Sequence, residues 1–115
     1  MRLLIPLSGV ALLLAAPALA HHGWGSYDDA KVLTLTAPID AMSYENPHGE
    51  LRLTAEGKPW RVVLAPPSRM QARGLPADML KPGTTVRVEG YPSKVHADEM
   101  RAERITVDGK RVELR

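Results

Sequence analysis

The chain has 115 residues, with 15 lysines and arginines against 13 aspartates and glutamates, a formal net charge of +2 and no cysteine. So small a basic excess gives no electrostatic case for nucleic-acid binding. The absence of cysteine excludes stapled knots, thiolate zinc sites, thiol redox chemistry and c-type haem attachment.

The first segment, Met1 to Ala20, reads as a cleavable export signal. Arg2 stands beside the initiator amine, an apolar stretch runs from Leu3 to Ala16, and Ala18-Leu19-Ala20 fits the small-residue cleavage rule. Pro6, Ser8 and Gly9 interrupt the apolar stretch, which is shorter than the ~20 residues a bilayer-spanning helix needs. The expectation is processing after Ala20, no permanent membrane anchor and a soluble periplasmic product. The predicted organisation is therefore 1–20 signal peptide, 21–30 N-terminal arm and 31–115 a single domain with a thin core.

Within the arm, Gly23, Gly25, Ser26, Asp28 and Asp29 favour irregular backbone, and Trp24 and Tyr27 are expected to tack it to the body. From Lys31 the pattern alternates, with Leu33, Leu35, Ala37, Ile39 and Ala41 on one face, which predicts a long half-buried strand. Pro38 removes a ladder donor, so the strand should bend, bulge or lie at an edge there. Tyr44 to Gly49 reads as a turn. Glu50 to Ala55 and Trp60 to Leu64 read as strands joined at Gly57-Lys58.

Pro66-Pro67-Ser68 then reads as a helix entrance, with Ser68 as cap, Gln71 completing a capping box and Gly74 ending the helix. Pro76 to Leu80 suggests a second short turn before the reversal at Lys81-Pro82-Gly83. Two further strands, Thr84 to Tyr91 and Arg101 to Val107, precede a hairpin at Asp108-Gly109 that returns through Val112 and Leu114. Three strands, a short helix, two strands and a terminal hairpin arm predict an all-β fold with one short helix, a small five-stranded OB-fold-like barrel. An open antiparallel sheet with one covering helix is the alternative.

Several stretches also resemble a known family: Ala20-His21-His22-Gly23-Trp24, Tyr44-Glu45-Asn46-Pro47-His48, Val63 to Met70, Gly90-Tyr91-Pro92 and Glu99 to Arg104. Together they look like a family of small secreted proteobacterial proteins classed as a domain of unknown function. The resemblance implies export and a small β-barrel, and it supplies no activity, substrate or catalytic residue.

Cleavage after Ala20 would free the amine of His21, and an amine plus imidazole chelate suits copper, zinc or nickel. His22 adds a second imidazole. His48 follows Asn46-Pro47 in one loop, near Glu45 and Glu50, and His96 lies in the loop Ser93 to Asp98, near Asp98 and Glu99. In an OB-like barrel both loops border the ligand face, with the His96 loop expected nearer the arm than His48. The candidate metal set is thus His21, His22, His96 and His48, with copper or another divalent ion as the cofactor. Against it stands the plainer reading of these histidines as solvated loop residues.

Met42, Met70, Met79 and Met100 are read as core fillers rather than soft-metal ligands, and Trp60 as the largest piece of the core. Arg69, Arg73, Arg101 and Arg104 offer an anion site, but pairing with Glu99, Glu103 and Glu113 is the stronger expectation. Ser68 has no histidine near it in sequence, no metal-hydrolase or phosphate-loop motif occurs, and no catalytic residue is assigned. The functional expectation is a non-enzymatic exported binding or accessory module, with a metal as leading ligand and a periplasmic protein as a further partner. A metal-free interaction barrel and an oligosaccharide-binding module are the alternatives.

Overall fold

The computed structural model describes residues 2–4 and 23–115. The signal segment and the pair His21-His22 lie outside the described residues. The body comprises β1 (Leu33–Ser43), β2 (Glu50–Ala55), β3 (Lys58–Val63), α1 (Pro67–Ala72), β4 (Thr85–Pro92), β5 (Glu99–Val107) and β6 (Lys110–Glu113). Single 3-10 turns occupy Trp24–Ser26 and Ala77–Leu80.

The strands follow the order β3-β2-β1-β4-β5-β6, and a parallel pairing of β3 with β5 closes the first five into a barrel. β1 is long enough to serve two neighbours. Its first half pairs with β4 from Leu33↔Gly90 to Pro38↔Thr85, and its second half pairs with β2 from Ile39↔Leu53 to Ser43↔Glu50. β6 continues the free edge of β5 beyond the β3 contact, pairing Arg104↔Glu113 to Val107↔Lys110. The mostly-β, five-stranded barrel with an added hairpin arm is therefore the fold that the element order predicted.

Local chemistry explains the joints. Pro38 is followed at once by an irregularity between Ile39 and Ala41. The extra residue flips the alternation, so Ala41 is exposed, contrary to the inward expectation, and Met42 packs against the core instead. The turns Glu56-Gly57 (φ 54 and 73) and Asp108-Gly109 (φ 49 and 72) both place two residues at positive φ. That backbone matches the right-handed twist of the strands they join.

The helix starts two residues earlier than the capping-box reading allows. Pro66 is its N-cap, no side chain caps it, and Ser68 already lies within it. Pro67 at the first helical position explains this, since it has no N–H to satisfy and its φ is preset for helix. The end is as predicted: Gly74 takes φ 80, Leu75 N–H donates to Met70 O at 2.8 Å, and Gly74 N–H to Gln71 O at 3.1 Å. Both orphan carbonyls are satisfied, while Met70 and Leu75 close on the core.

That core includes Leu35, Ile39, Leu51, Leu53, Val62, Val86, Val88, Met100 and Ile105 from the strands, with Met70, Leu75 and Leu80 from the segment between β3 and β4. Met70 and Met100 are fully buried, which bears out their reading as core fillers. Trp60 differs from its expectation. It is half-buried against the cluster with Lys58 Nζ 4.1 Å from its ring centroid, and aliphatic side chains fill the centre in its place.

Candidate functional site

Three segments meet at one mouth of the barrel. The first is the arm: Asp28 N–H donates to Pro92 O at 2.9 Å, Lys94 N–H to Ser26 O at 2.9 Å, and Tyr27 bridges to Ser93. Trp24 and Tyr27 do tack the arm down as the sequence suggested, and Tyr27 is buried.

The second is the loop after β1, which ends at Gly49. Gly49 N–H donates to Ala65 O at 2.9 Å and its carbonyl accepts from Leu64 N–H at 2.8 Å, so the residue after His48 is bonded to the segment that follows β3. A side chain here would meet Met70 Cε at 2.6 Å. Glycine therefore lets the loop lie flat on the core and turn His48 towards the mouth.

The third is the loop between β4 and β5. Ser93 Oγ accepts from the main-chain N–H groups of Val95 at 3.1 Å and His96 at 3.0 Å, and Glu99 N–H donates to His96 O at 3.2 Å. These bonds hold His96 in a local turn.

Between the three lies a cleft of about 310 Å³, lined by Ser26, Tyr27, Pro47, His48, Glu50, Arg61, Val63, Ser93, Val95, His96 and Glu99. Its floor is an ionic chain. The Tyr27 hydroxyl donates to Glu99 Oε2 at 2.8 Å, Arg61 Nη1 donates to Glu99 Oε1 at 3.2 Å, and Arg61 Nε and Nη2 grip Glu50 as a fork. Barrel closure creates it, because Arg61 and Glu99 are register partners across the parallel β3–β5 seam. Burial pushes the Tyr27 phenol well above its ordinary range, and the bond to Glu99 pushes it further. The Arg61 guanidinium is raised chiefly by its bonds to Glu50, against the opposing effect of burial.

Both loop histidines of the predicted set line this cleft, together with Ser26 and Tyr27 of the arm. His96 is exposed, whereas His48 is half-buried, with Nε2 3.5 Å from Arg101 Nη2. His21 and His22 fall outside the described residues. Among the described residues, no group of three or more histidines, cysteines, aspartates and glutamates is placed to hold a metal ion.

The arginine expectation divides. Arg104 pairs with Glu89, Glu103 and Glu113 on the surface. Arg69 and Arg73, in contrast, donate to main-chain carbonyls of Leu114, Glu113 and Arg115. Arg101 is buried with its guanidinium 4.3 Å from the Trp24 ring centroid. Sequence reasoning also missed Arg61 altogether. Its alternation marks it only as one polar residue of a strand, and nothing local signals that β5 will deliver Glu99 beside it.

Comparison with known proteins adds the following. The family described as a family of unknown function, DUF6152, matches residues 10–101. No curated protein matches the chain. Among solved structures, the Stn1–Ten1 complex of S. pombe is similar with a TM-score of 0.52 at 20% identity, over 66% of this chain and 57% of that one. A complex of TiaS with a transfer RNA and ATP is similar with a TM-score of 0.52 at 17% identity, over 77% of this chain and 20% of that one. At such identities the likeness is one of fold alone.

Proposed function

Because the chain belongs to DUF6152, a family of unknown function, it inherits no activity, and we propose from its geometry that it is an exported, non-catalytic interaction module. Its cleft takes a short segment of a partner protein. The observation that carries this is the convergence of three separately bonded segments, the arm and two loops, on one concave surface of about 310 Å³. A cleft of that size, at the small end of ligand sites, holds a few side chains and is mixed in character. Val63, Pro47 and the strongly exposed Val95 offer apolar contact, while Glu50, Ser93 and the two histidines offer hydrogen bonds.

Sugar or base recognition fits less well, because it relies on an open aromatic face for stacking. Among the described residues lining the cleft, Tyr27 alone carries a phenyl or indole ring, and it is 4% exposed with its hydroxyl committed to Glu99. Trp60 and Tyr91 lie outside the cleft lining.

The test is site-specific photocrosslinking in the exporting host. A photoreactive residue at Val95 should give one discrete protein adduct, which Ser93→Trp abolishes by filling the cleft. The same residue at Val32, which is comparably exposed and does not line the cleft, should give none. Absent or identical adducts at the two positions would refute the reading.

A second reading is a copper or other divalent metal site built by His48 and His96 with the processed N-terminus. What favours it is that Ser26, four positions after His22, lines the same cleft as both loop histidines. Imidazoles and a free amine form a donor set suited to copper.

A further inference from the structure

Sharing Tyr27 with the cleft is a second, smaller groove of about 180 Å³, lined by Trp24, Gly25, Tyr27, Asp29, Tyr91, Lys94 and Arg115. Its chemistry is the reverse of the cleft floor. Two guanidiniums stand over the Trp24 ring, Arg101 at 4.3 Å and Arg115 at 4.6 Å from its centroid. Tyr91 meets it edge-on, with ring centroids 6.2 Å apart and planes at 75°. Trp24 nevertheless remains half-exposed.

Further positive charge lies near it. Lys94 Nζ donates to Gly25 O at 3.1 Å, and Arg69, close enough to repel Arg101, donates through Nη1 to Leu114 O at 3.1 Å. Bonds to main-chain carbonyls satisfy donors and bring no negative charge. The carboxylates nearby include Asp29, in the groove, Glu103, which meets Arg115 at 3.6 Å and also accepts from the Tyr91 hydroxyl, and Glu99, which is engaged by Tyr27 and Arg61 on the cleft side. Burial lowers the Arg101 pKa, and repulsion from Arg69 and Arg115 lowers it further. The cleft, in contrast, sets one guanidinium between two carboxylates.

We infer that the Trp24–Tyr91–Arg115–Lys94 groove docks an acidic segment of a partner protein, with a carboxylate set between Lys94 and Arg115 and its stem against the Trp24–Tyr91 edge. Tryptophan, tyrosine and arginine are the residues that concentrate binding energy in protein interfaces. Charge complementarity chooses an acidic occupant over a basic one. The inference rests on the interaction reading only in taking the occupant to be protein, and the groove and cleft share just Tyr27.

The test uses the full processed chain labelled with ¹⁵N, whose two tryptophans, Trp24 and Trp60, give separable indole N–H signals. A short Glu-rich peptide should shift the Trp24 signal saturably and leave that of Trp60 in place. A Lys-rich peptide of the same length, or inorganic phosphate at matched charge, should not. Lys94→Gln and Arg115→Gln should each weaken the response about two- to fivefold, the scale of an exposed charge pair, and added salt should weaken it further. Both are surface changes, so a folded spectrum accompanies the measurement. An unmoved Trp24 signal, or equal shifts with the Lys-rich peptide or with phosphate, would overturn the inference. An intact Val95 adduct alongside such a result would leave the cleft reading standing, and the converse result would separate them the other way.

Discussion

The Tyr27 hydroxyl donates to Glu99 Oε2 at 2.8 Å across 72 positions of sequence. That bond joins the arm to β5 at the place where β5 also meets β3. One contact thus fastens the wall of the cleft to the seam of the barrel. Tyr27→Phe removes the donor and leaves Glu99, itself buried, with Arg61 alone among its side-chain partners here. Denaturant unfolding should show a loss of about 1–3 kcal/mol, and amide exchange should quicken in the arm before it does in the strands.

The same bond predicts an alkaline limit. The Tyr27 phenol is raised in the folded state by burial and by Glu99, whereas an unfolded tyrosine ionises near pH ~10. Above that pH the unfolded chain loses a proton that the folded chain keeps, so stability falls as pH rises. The contribution is fully present below about pH 10. Tyr44 and Tyr91 are raised too, so the wild-type curve should decline above pH ~10 and that of Tyr27→Phe should decline less steeply. Parallel curves would show that Tyr27 is not the group responsible.

Gly90 should admit no side chain. A Cβ there would collide with the Arg101 carbonyl oxygen and stand 2.8 Å from Ala102 Cα. These are backbone atoms at the register shift between β4 and β5, and they move only with the strand. Gly90→Ala should therefore cost at least about 2 kcal/mol, read from the urea midpoint. Gly25→Ala, where nothing lies within 4 Å, is the control and should be nearly neutral.

Core position outranks ring size in this barrel. Met100→Ala should cost about 2–5 kcal/mol, because its side chain is fully buried. Trp60→Ala, at a half-buried position topped by Lys58, should cost less than Met100→Ala despite removing more atoms. Thermal unfolding of the two variants side by side decides it.

Export and metal binding are tested together on protein recovered from the periplasm. Its mass should match a chain beginning at His21, and an unprocessed product would remove the free amine on which the metal reading depends. On that reading, Cu(II) should bind the processed form more tightly than a form with one extra residue before His21. Binding should also weaken as pH falls below about 6.5, since protonated imidazole cannot ligate. His48→Ala and His96→Ala should each lower the affinity. Equal binding by processed and extended forms would leave the metal-free interaction reading alone.

Much of the fold is written locally. Alternation at Leu33, Leu35, Ala37 and Ile39, the glycines at 57, 74 and 109, and the double proline before α1 each act within a few residues. Backbone sterics and side-chain periodicity suffice to place strands, turns and the helix end there. The element order that follows was enough to anticipate the barrel, and the loops carrying His48 and His96 do meet at one cleft.

What the sequence alone did not settle depends on atoms brought together from afar. Ala41 faces outward because a bulge after Pro38 shifts the phase by one residue, and no count of alternation reveals an extra residue until β2 and β4 share β1. Arg61 joins Glu50 and Glu99 only because β3 and β5 close in parallel. Trp24 meets Arg101 and Arg115 only because the arm is bonded to the β4–β5 loop. Periodicity reports which side of a strand a residue occupies. Which charge or ring stands opposite it is fixed by strand closure, and that is where the cleft floor and the basic aromatic groove are made.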